Sequence, residues 1–280
     1  MDYYRSVLPI LVLYKQDLTF SESLKTLNAN LLEKGLTMDL FVYDNSPEAQ
    51  YEQEFTYQNF LVHYKHDPSN AGVSQAYNSG AAYGKNLNKK WVLLLDQDTI
   101  FPAGFLGVYE KAVDEHPDVK IFVPILKTQH GDYLSPCRYK HKRGYWLPSI
   151  TEGFMDVDKY SPVNSGMLIH LDAFFDVGGY NEAVKLDFAD FQFIERFAEK
   201  FRTFYVVNVV CLQDFSGYEP SLVKLKHRFA FFCEGAKNCI RREAADGFWY
   251  LMVVLRRMSG LMWKNKDLSF FGIFIRKYIL

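Results

Sequence analysis

The chain has 280 residues, 49% hydrophobic and 17% aromatic, ample apolar material for a buried core. That excludes a disordered chain, a collagen-like repeat and a small disulfide scaffold. Its 32 Lys and Arg face 33 Asp and Glu, a formal charge of −1 without the basic excess of a dedicated nucleic-acid binder.

The first residues carry Asp2 and Arg5 and lack the long apolar run of a signal peptide. Val7–Leu13 is an apolar run of strand length. Residues 18–32 follow with Leu18, Leu24, Leu27, Leu31 and Leu32 at helical spacing, stopped by Gly35. A second strand at 40–43 ends in the turn residues Asp44-Asn45-Ser46-Pro47. A third is predicted at 61–64, an Ala-rich helix at 73–83 and a fourth strand at Trp91–Leu95. Short, continuously apolar strands alternating with helices predict an α/β fold, a mostly parallel sheet covered on both faces. Such sheets bind ligands at the carboxyl ends of their strands. Two of those ends carry acids, Asp44 on one and Asp96 with Asp98 on the other.

Beyond residue 120 the pattern mixes short strands, at 121–125, 155–157 and 166–170, with polar aromatic loops such as His141-Lys142-Arg143-Gly144-Tyr145-Trp146. A helix at 191–201 places Phe193, Ile194, Phe197 and Phe201 on one face, and a strand follows at 205–212. From Ser221 onward the chain reads as helical, broken near Gly247 and Ser259-Gly260. This last part holds twelve Lys and Arg against four Asp and Glu, a net +8 that leaves −9 on the first 220 residues. The charge split predicts two parts, an acidic body at 1–220 and a basic, aromatic-rich helical extension at 221–280. No stretch approaches about 18 uninterrupted apolar residues, so no membrane-spanning helix is expected and the location is read as cytoplasmic. Cys137, Cys211, Cys233 and Cys239 form no CxxC pair and read as buried thiols, with neither a zinc site nor a disulfide framework.

Leu93-Leu94-Leu95-Asp96-Gln97-Asp98 is the sharpest motif. Two carboxylates two residues apart at a strand end converge on one point, where their repulsion calls for a hard cation such as Mg²⁺ or Mn²⁺ shared with phosphate oxygens. Solvated turn acids are the plainer reading. Asp44 can accept from a pyrimidine base or a ribose hydroxyl, or close an Asx turn. The small residues between Asn70 and Gly80 would let a ligand approach the backbone. Asp190 falls on the inward stripe of its helix, or is a first-turn acid favoured by the macrodipole. Between Phe248 and Leu280, Trp249, Tyr250, Trp263, Phe270, Phe271 and Phe274 interleave with basic residues. That pattern suits the surface of an anionic membrane, or simply a packed helix with a solvated face.

Taken together the motifs resemble glycosyltransferase family 2 of the GT-A fold, in particular its rhamnosyltransferase-like branch of O-antigen and capsular polysaccharide synthesis. The matching residues are Val42-Tyr43-Asp44-Asn45-Ser46, Asn70-x-Gly72 with Asn78-x-Gly80, Leu95-Asp96-Gln97-Asp98-Thr99 and Asn164-Ser165-Gly166-Met167. Further on come Gly178-Gly179-Tyr180-Asn181-Glu182 and Asp187-x-x-Asp190 with Arg196. The resemblance covers roughly residues 5 to 215. It implies a Rossmann-like central sheet flanked by helices, and an inverting transfer from a nucleotide-sugar, dTDP-L-rhamnose by analogy. The acceptor would be a saccharide or a polyprenyl-diphosphate-linked saccharide.

By the same resemblance Asp190 is the catalytic base. Asp44, Asn70, Gly72, Asn78, Asp96, Gln97 and Arg196 belong to the donor site, Asp96 and Asp98 to the Mg²⁺ or Mn²⁺ site, and Trp146 and Asp187 to the acceptor side. A peripheral place at the inner face of the membrane, contacting anionic lipid, follows from a lipid-linked acceptor, and no nucleic-acid partner is expected. Two positions depart from the family pattern. Gln192 stands where an acid often precedes the Arg, and Gln213 stands where many members carry a metal-binding His. Two other functions compete with this one. A haloacid-dehalogenase-like phosphohydrolase, which also places DxD at a strand end, would release free phosphate from phosphomonoesters. A non-catalytic homologue acting as a binding or membrane module would bind no nucleotide-sugar with Mg²⁺ or Mn²⁺.

Overall fold

All seven side chains of Val7–Leu13 (β1) are buried, as a strand covered by helices on both faces requires. The computed structural model describes residues 3–213 and 221–280. A short helical turn, Tyr3–Ser6 (α1), precedes β1. Then come Glu22–Lys34 (α2), Met38–Asp44 (β2), Glu54–Tyr57 (β3), Phe60–His66 (β4), Val73–Asn86 (α3), Trp91–Leu95 (β5), Thr99–Ile100 (β6), Phe105–Glu115 (α4) and Ile121–Thr128 (β7). The next stretch holds Tyr133–Ser135 (β8), Cys137–Lys140 (β9), Arg143–Tyr145 (β10), Gly153–Asp156 (β11), Tyr160–Ser161 (β12) and Leu168–His170 (β13). Leu171–Asp176 (α5), Ala189–Phe197 (α6) and Thr203–Gln213 (β14) follow, and Leu222–Asn238 (α7), Asp246–Asn265 (α8) and Ser269–Phe274 (α9) end in a π-helical turn at Ile275–Ile279.

The large sheet runs β11-β14-β7-β13-β5-β1-β2-β4-β3, with β6 beside β14 and β8 beside β7. β4, β2, β1 and β5 are mutually parallel, as are β7 and β14, while β13 runs antiparallel between β5 and β7. Register pairs Leu13 with Asp44 and Leu11 with Leu95, so Asp44 and Asp96 end the two strands flanking β1. Alternate residues of β1 feed opposite cores, as the two-residue period of a strand dictates. Val7, Leu11 and Leu13 join Leu24, Leu27, Leu31 and Leu106 on one face. Leu8, Ile10 and Val12 join Ala76, Tyr77, Phe193, Phe229, Tyr250 and Phe270 on the other. The C-terminal helices therefore pack on the face that carries α3 and α6.

Local chemistry sets the boundaries. The Ser21 hydroxyl caps α2 by accepting from the Leu24 N–H, and Gly35 ends it in the left-handed region at φ 64°. The predicted helix at 18–32 divides here, because Asp17 caps a separate 3₁₀ turn at Leu18–Phe20. The expected break near Gly247 is present just ahead of that residue, and the one expected near Ser259-Gly260 is absent. The interruption lies between α7 and α8, and α8 runs unbroken through both glycines to Asn265. A glycine in a helix interior costs only about 1 kcal/mol against Ala, less than the burial of Tyr250, Val254 and Met258 on the same helix returns. All four cysteines are free and buried.

The loop at 141–146 is a hairpin. β9 and β10 are joined by His141 and Lys142, both at positive φ (53° and 58°), the backbone of a two-residue turn whose twist matches its strands. The His141 ring stacks on Trp249 at 3.8 Å. The Lys142 ammonium lies 2.6 Å from Glu195 and 3.0 Å from Asp246, all three nearly buried. This ion triad binds the hairpin to α6 and α8.

Candidate active site

At the carboxyl end of β5 the chain turns through Asp96-Gln97-Asp98, and α2 holds that turn from below. Ser21 Oγ donates to the Gln97 carbonyl at 3.1 Å, Ser23 Oγ donates to the Asp96 carbonyl, and the Thr99 N–H donates to Ser23 Oγ at 3.0 Å. With its backbone so fixed, the turn presents its two acids differently. Asp98 is exposed. Asp96 is half-buried and accepts from the Gln213 amide at 2.8 Å and from the Tyr77 hydroxyl at 3.3 Å. Burial raises the Asp96 pKa, opposed by those two hydrogen bonds and by the charge of Arg228.

Asp190 sits in the first turn of α6, which starts from Phe188 at φ 71°. Its carboxylate accepts from the Phe191 N–H at 2.8 Å. Burial pushes its pKa up to about 7, against the pull of that N–H, and the negative charges of Asp187 and Asp96 push it further in the same direction. The Asp190 charge is also felt by Tyr77, Tyr180 and Cys137, all of whose pKa values burial raises. The β9–β10 hairpin packs beside it, with Tyr139 stacked on Phe191 at 4.6 Å. A carboxyl group held near neutrality beside an acid pair is suited to taking a proton at physiological pH.

Asp44, at the end of β2, is fully buried. Its oxygens accept from the Ser46 N–H at 2.8 Å, the Tyr64 hydroxyl at 2.7 Å and the Gln50 amide at 2.9 Å. A nucleobase N–H can reach Oδ2 only by replacing one of these donors. Gln50 also lines a surface cavity with Ala49, Tyr51, Glu52 and Phe55.

Other positions singled out in the sequence have partners inside the protein. Gly72 has φ 94°, and a Cβ there would lie 2.2 Å from the Lys185 carbonyl oxygen. Only glycine allows the start of α3 to pass so close to that segment. Lys185 also donates to the Asn70 carbonyl at 3.4 Å. Asn78 donates to the Tyr180 carbonyl at 2.9 Å and to Glu182 at 2.8 Å, and accepts from the Tyr180 N–H. Arg196 donates to the Gly179 carbonyl. Asn78 and Arg196 thus hold the 178–182 turn from two sides. Gln97 accepts from the Tyr14 N–H at 3.2 Å. Trp146, just past β10, is 44% exposed. Asp187 lies 3.3 Å from Arg228 and 3.5 Å from Arg257.

Gln192, the departure inside α6, is a buried connector. It accepts from Asn181 and from the Ile240 N–H, and donates to the Ile240 carbonyl and the Tyr250 hydroxyl. Sequence reasoning missed Tyr77, Gln50, Tyr64 and Arg228. Each is an ordinary residue of its own helix, strand or loop, and only the folded chain brings it to a carboxylate. Asp214, Phe215 and Ser216 lie outside the described residues.

Among the described residues no three His, Cys, Asp or Glu gather into a metal cage. Mg²⁺ is commonly held by one or two carboxylates together with substrate phosphates. The exposed Asp98 with Asp96 beside it meets that requirement. Gln213 adds a buried Oε1 without a hydrogen-bond partner, a neutral oxygen of the kind hard cations accept. These residues fit an ion brought in on a diphosphate.

Acids at the carboxyl edge of a mostly parallel sheet, one of them with its proton affinity raised, make that edge the candidate active site of an α/β protein. The sequence profile of glycosyl transferase family 2 matches residues 11–164, more than half of the chain, and the chain belongs to that family. It is a glycosyltransferase, and its α/β architecture is the GT-A fold. No curated protein matches it by sequence. Solved structures of residues 1–349 of TarS from S. aureus share the fold at 14–15% identity. They cover 97% of this chain and 78% of the TarS chain for TarS alone (TM-score 0.54), 80% for the complex with UDP (0.52) and 79% for that with UDP-GlcNAc (0.56).

Proposed function

We propose that this protein is an inverting, metal-assisted glycosyltransferase moving a sugar from a nucleoside diphosphate onto a hydroxyl of a saccharide or lipid-linked saccharide. The observation that carries the proposal is Asp190, with its pKa near 7 and within electrostatic reach of Asp96. Asp190 takes the proton from the acceptor hydroxyl, whose oxygen attacks the anomeric carbon. The bond from that carbon to the phosphate oxygen breaks, and its electron pair leaves with the nucleoside diphosphate. General-base help of this kind is worth about 10²–10⁴-fold. Asp98 and Asp96 would hold a divalent ion, which would supply charge neutralisation for the leaving group.

In this reading Asp44, Asp96 and Gln97 meet the donor, and Asn70, Gly72, Asn78 and Arg196 shape the backbone around it. Trp146 and Asp187 face the acceptor. The division into a catalytic domain at 1–220 and an extension at 221–280 remains part of the proposal. Among the described residues no helix is long and apolar enough to cross a membrane. Exposed Trp263, Leu268 and Phe271, with exposed Lys264 and Lys266 between them, support contact with an anionic membrane at its inner face. dTDP-L-rhamnose is the preferred donor, and the TarS complexes with UDP and UDP-GlcNAc make UDP-sugars the competing choice. A panel of dTDP- and UDP-sugars, titrated calorimetrically with and without Mn²⁺, tests the function. One donor is expected to bind in a metal-dependent way, and binding of none would defeat the proposal.

A further inference from the structure

Among the described residues five buried side-chain polar atoms lack a hydrogen-bond partner. Three of them, Asp187 Oδ2, Gln213 Oε1 and Arg228 Nε, belong to residues that contact or electrically sense Asp96 and Asp190. Buried polar atoms are normally paired, and a group of exceptions in one place marks where something else is meant to bond. Arg228 stands on α7, outside the residues matched by the family profile. α7 is pressed against this segment, since a Cβ on Gly235 would lie 2.9 Å from the Asp187 carbonyl oxygen.

Arg228 and Arg257 both approach a single oxygen of Asp187, at 3.3 and 3.5 Å. Two guanidinium groups thus share one oxygen of a single carboxylate, so it fully engages neither of them. Arg257 lies across the Phe232 ring at 4.2 Å. Arg228 also lies within electrostatic reach of Asp96, whose pKa it lowers against the effect of burial. A guanidinium with an unfilled Nε–H suits a phosphate, which it can grip through two parallel N–H donors.

We propose that Arg228, backed by Arg257, binds the phosphate oxygens of the donor's diphosphate, so that the C-terminal helices complete the donor site. The proposal rests on the glycosyl-transfer reading above. In it the leaving diphosphate takes positive charge from the protein as well as from the divalent ion, and Asp187 keeps both arginines aimed until the donor arrives.

The test is calorimetric titration of the full chain with UDP, dTDP and the parent nucleosides, for wild type, R228Q, R228K and R257Q. R228Q is expected to weaken the better-bound nucleoside diphosphate by about 10- to 100-fold, the range for a lost charge-assisted hydrogen bond, and to leave the nucleoside unchanged. R228K should recover part of the loss, since it keeps the charge without the fork, and R257Q should lose less than R228Q. Equal diphosphate affinity in wild type and R228Q overturns the proposal, as does an equal loss of nucleoside and diphosphate, which would mean general damage to the fold. Should R228Q fail to fold, R228K and R257Q decide by the same comparison. If the wild type binds neither UDP nor dTDP, the glycosyl-transfer reading fails, and inorganic pyrophosphate titrated alone then decides the site. Pyrophosphate binding that R228Q abolishes retains the Arg228 site; no pyrophosphate binding, or binding that ignores R228Q, removes it.

Discussion

Asp44 and Asp190 are two carboxylates on one enzyme in opposite surroundings. Asp44 is fully buried with three donors on its oxygens, from Ser46, Gln50 and Tyr64. Asp190 is desolvated by burial, is met by the backbone N–H groups of Phe191 and of Asp190 itself, and stands among the charges of Asp187 and Asp96. A filled carboxylate holds its own loop together and meets a ligand only by exchanging a donor. A carboxylate with few donors and like-charged neighbours stores proton affinity. The first arrangement suits recognition and the second suits proton transfer.

The sharpest way to break this contrast is Asp190→Asn. Steady-state kinetics should show kcat lower by about 10²–10⁴-fold with donor KM nearly unchanged; near-normal turnover would take Asp190 out of the reaction. The pH dependence carries the same sign. Asp190 must be ionised to act, so kcat/KM should rise with pH and level off above about 7. Its folded pKa lies above the unfolded value, so its contribution to stability is complete below about pH 4 and disappears as pH rises through about 7. Thermal melts of Asp190→Asn should lack that part of the decline, and an identical slope in both proteins would contradict the shifted pKa.

Lys142→Met strikes the hairpin that packs beside Asp190. It leaves Glu195 and Asp246 buried without their ammonium, and breaking a buried pair in this way costs about 3–5 kcal/mol. Urea denaturation should show that loss; a change below about 1 kcal/mol would mean that solvent already screens the triad. Asp98→Ala should reduce Mn²⁺-dependent donor affinity by about 10-fold in calorimetry, the order of one charged contact, and unchanged metal dependence would exclude it as a ligand. The smallest effect is expected at Gln50→Ala. Removing one of the two donors on Asp44 Oδ2, the other being Tyr64, should tighten donor binding by about 2- to 10-fold, one neutral hydrogen bond. Weaker binding would show instead that Gln50 itself touches the base.

Much of the framework is legible in the residues. Strands β1 and β5 occupy the predicted positions residue for residue, because an apolar run bounded by polar turns is a local signal. α4 escapes that reading. Gly107, Val108 and Val113 weaken its intrinsic helical preference, and burial of Phe105, Leu106, Tyr109 and Ala112 is what selects it. The β9–β10 turn escapes for a different reason. His141 and Lys142 are not the Asn-Gly or Asp-Gly of such turns, and their backbone is held by Trp249, Glu195 and Asp246, which lie far along the chain.

By itself the sequence determined the alternation of strands and helices and the placing of Asp44, Asp96 and Asp98 at strand ends, since both depend on neighbours within a few residues. Only the tertiary structure decided which carboxylate is saturated, which is pushed toward neutrality, and that an arginine from α7 comes to stand beside the acids. Desolvation and charge coupling act through space, between side chains that the linear order keeps apart.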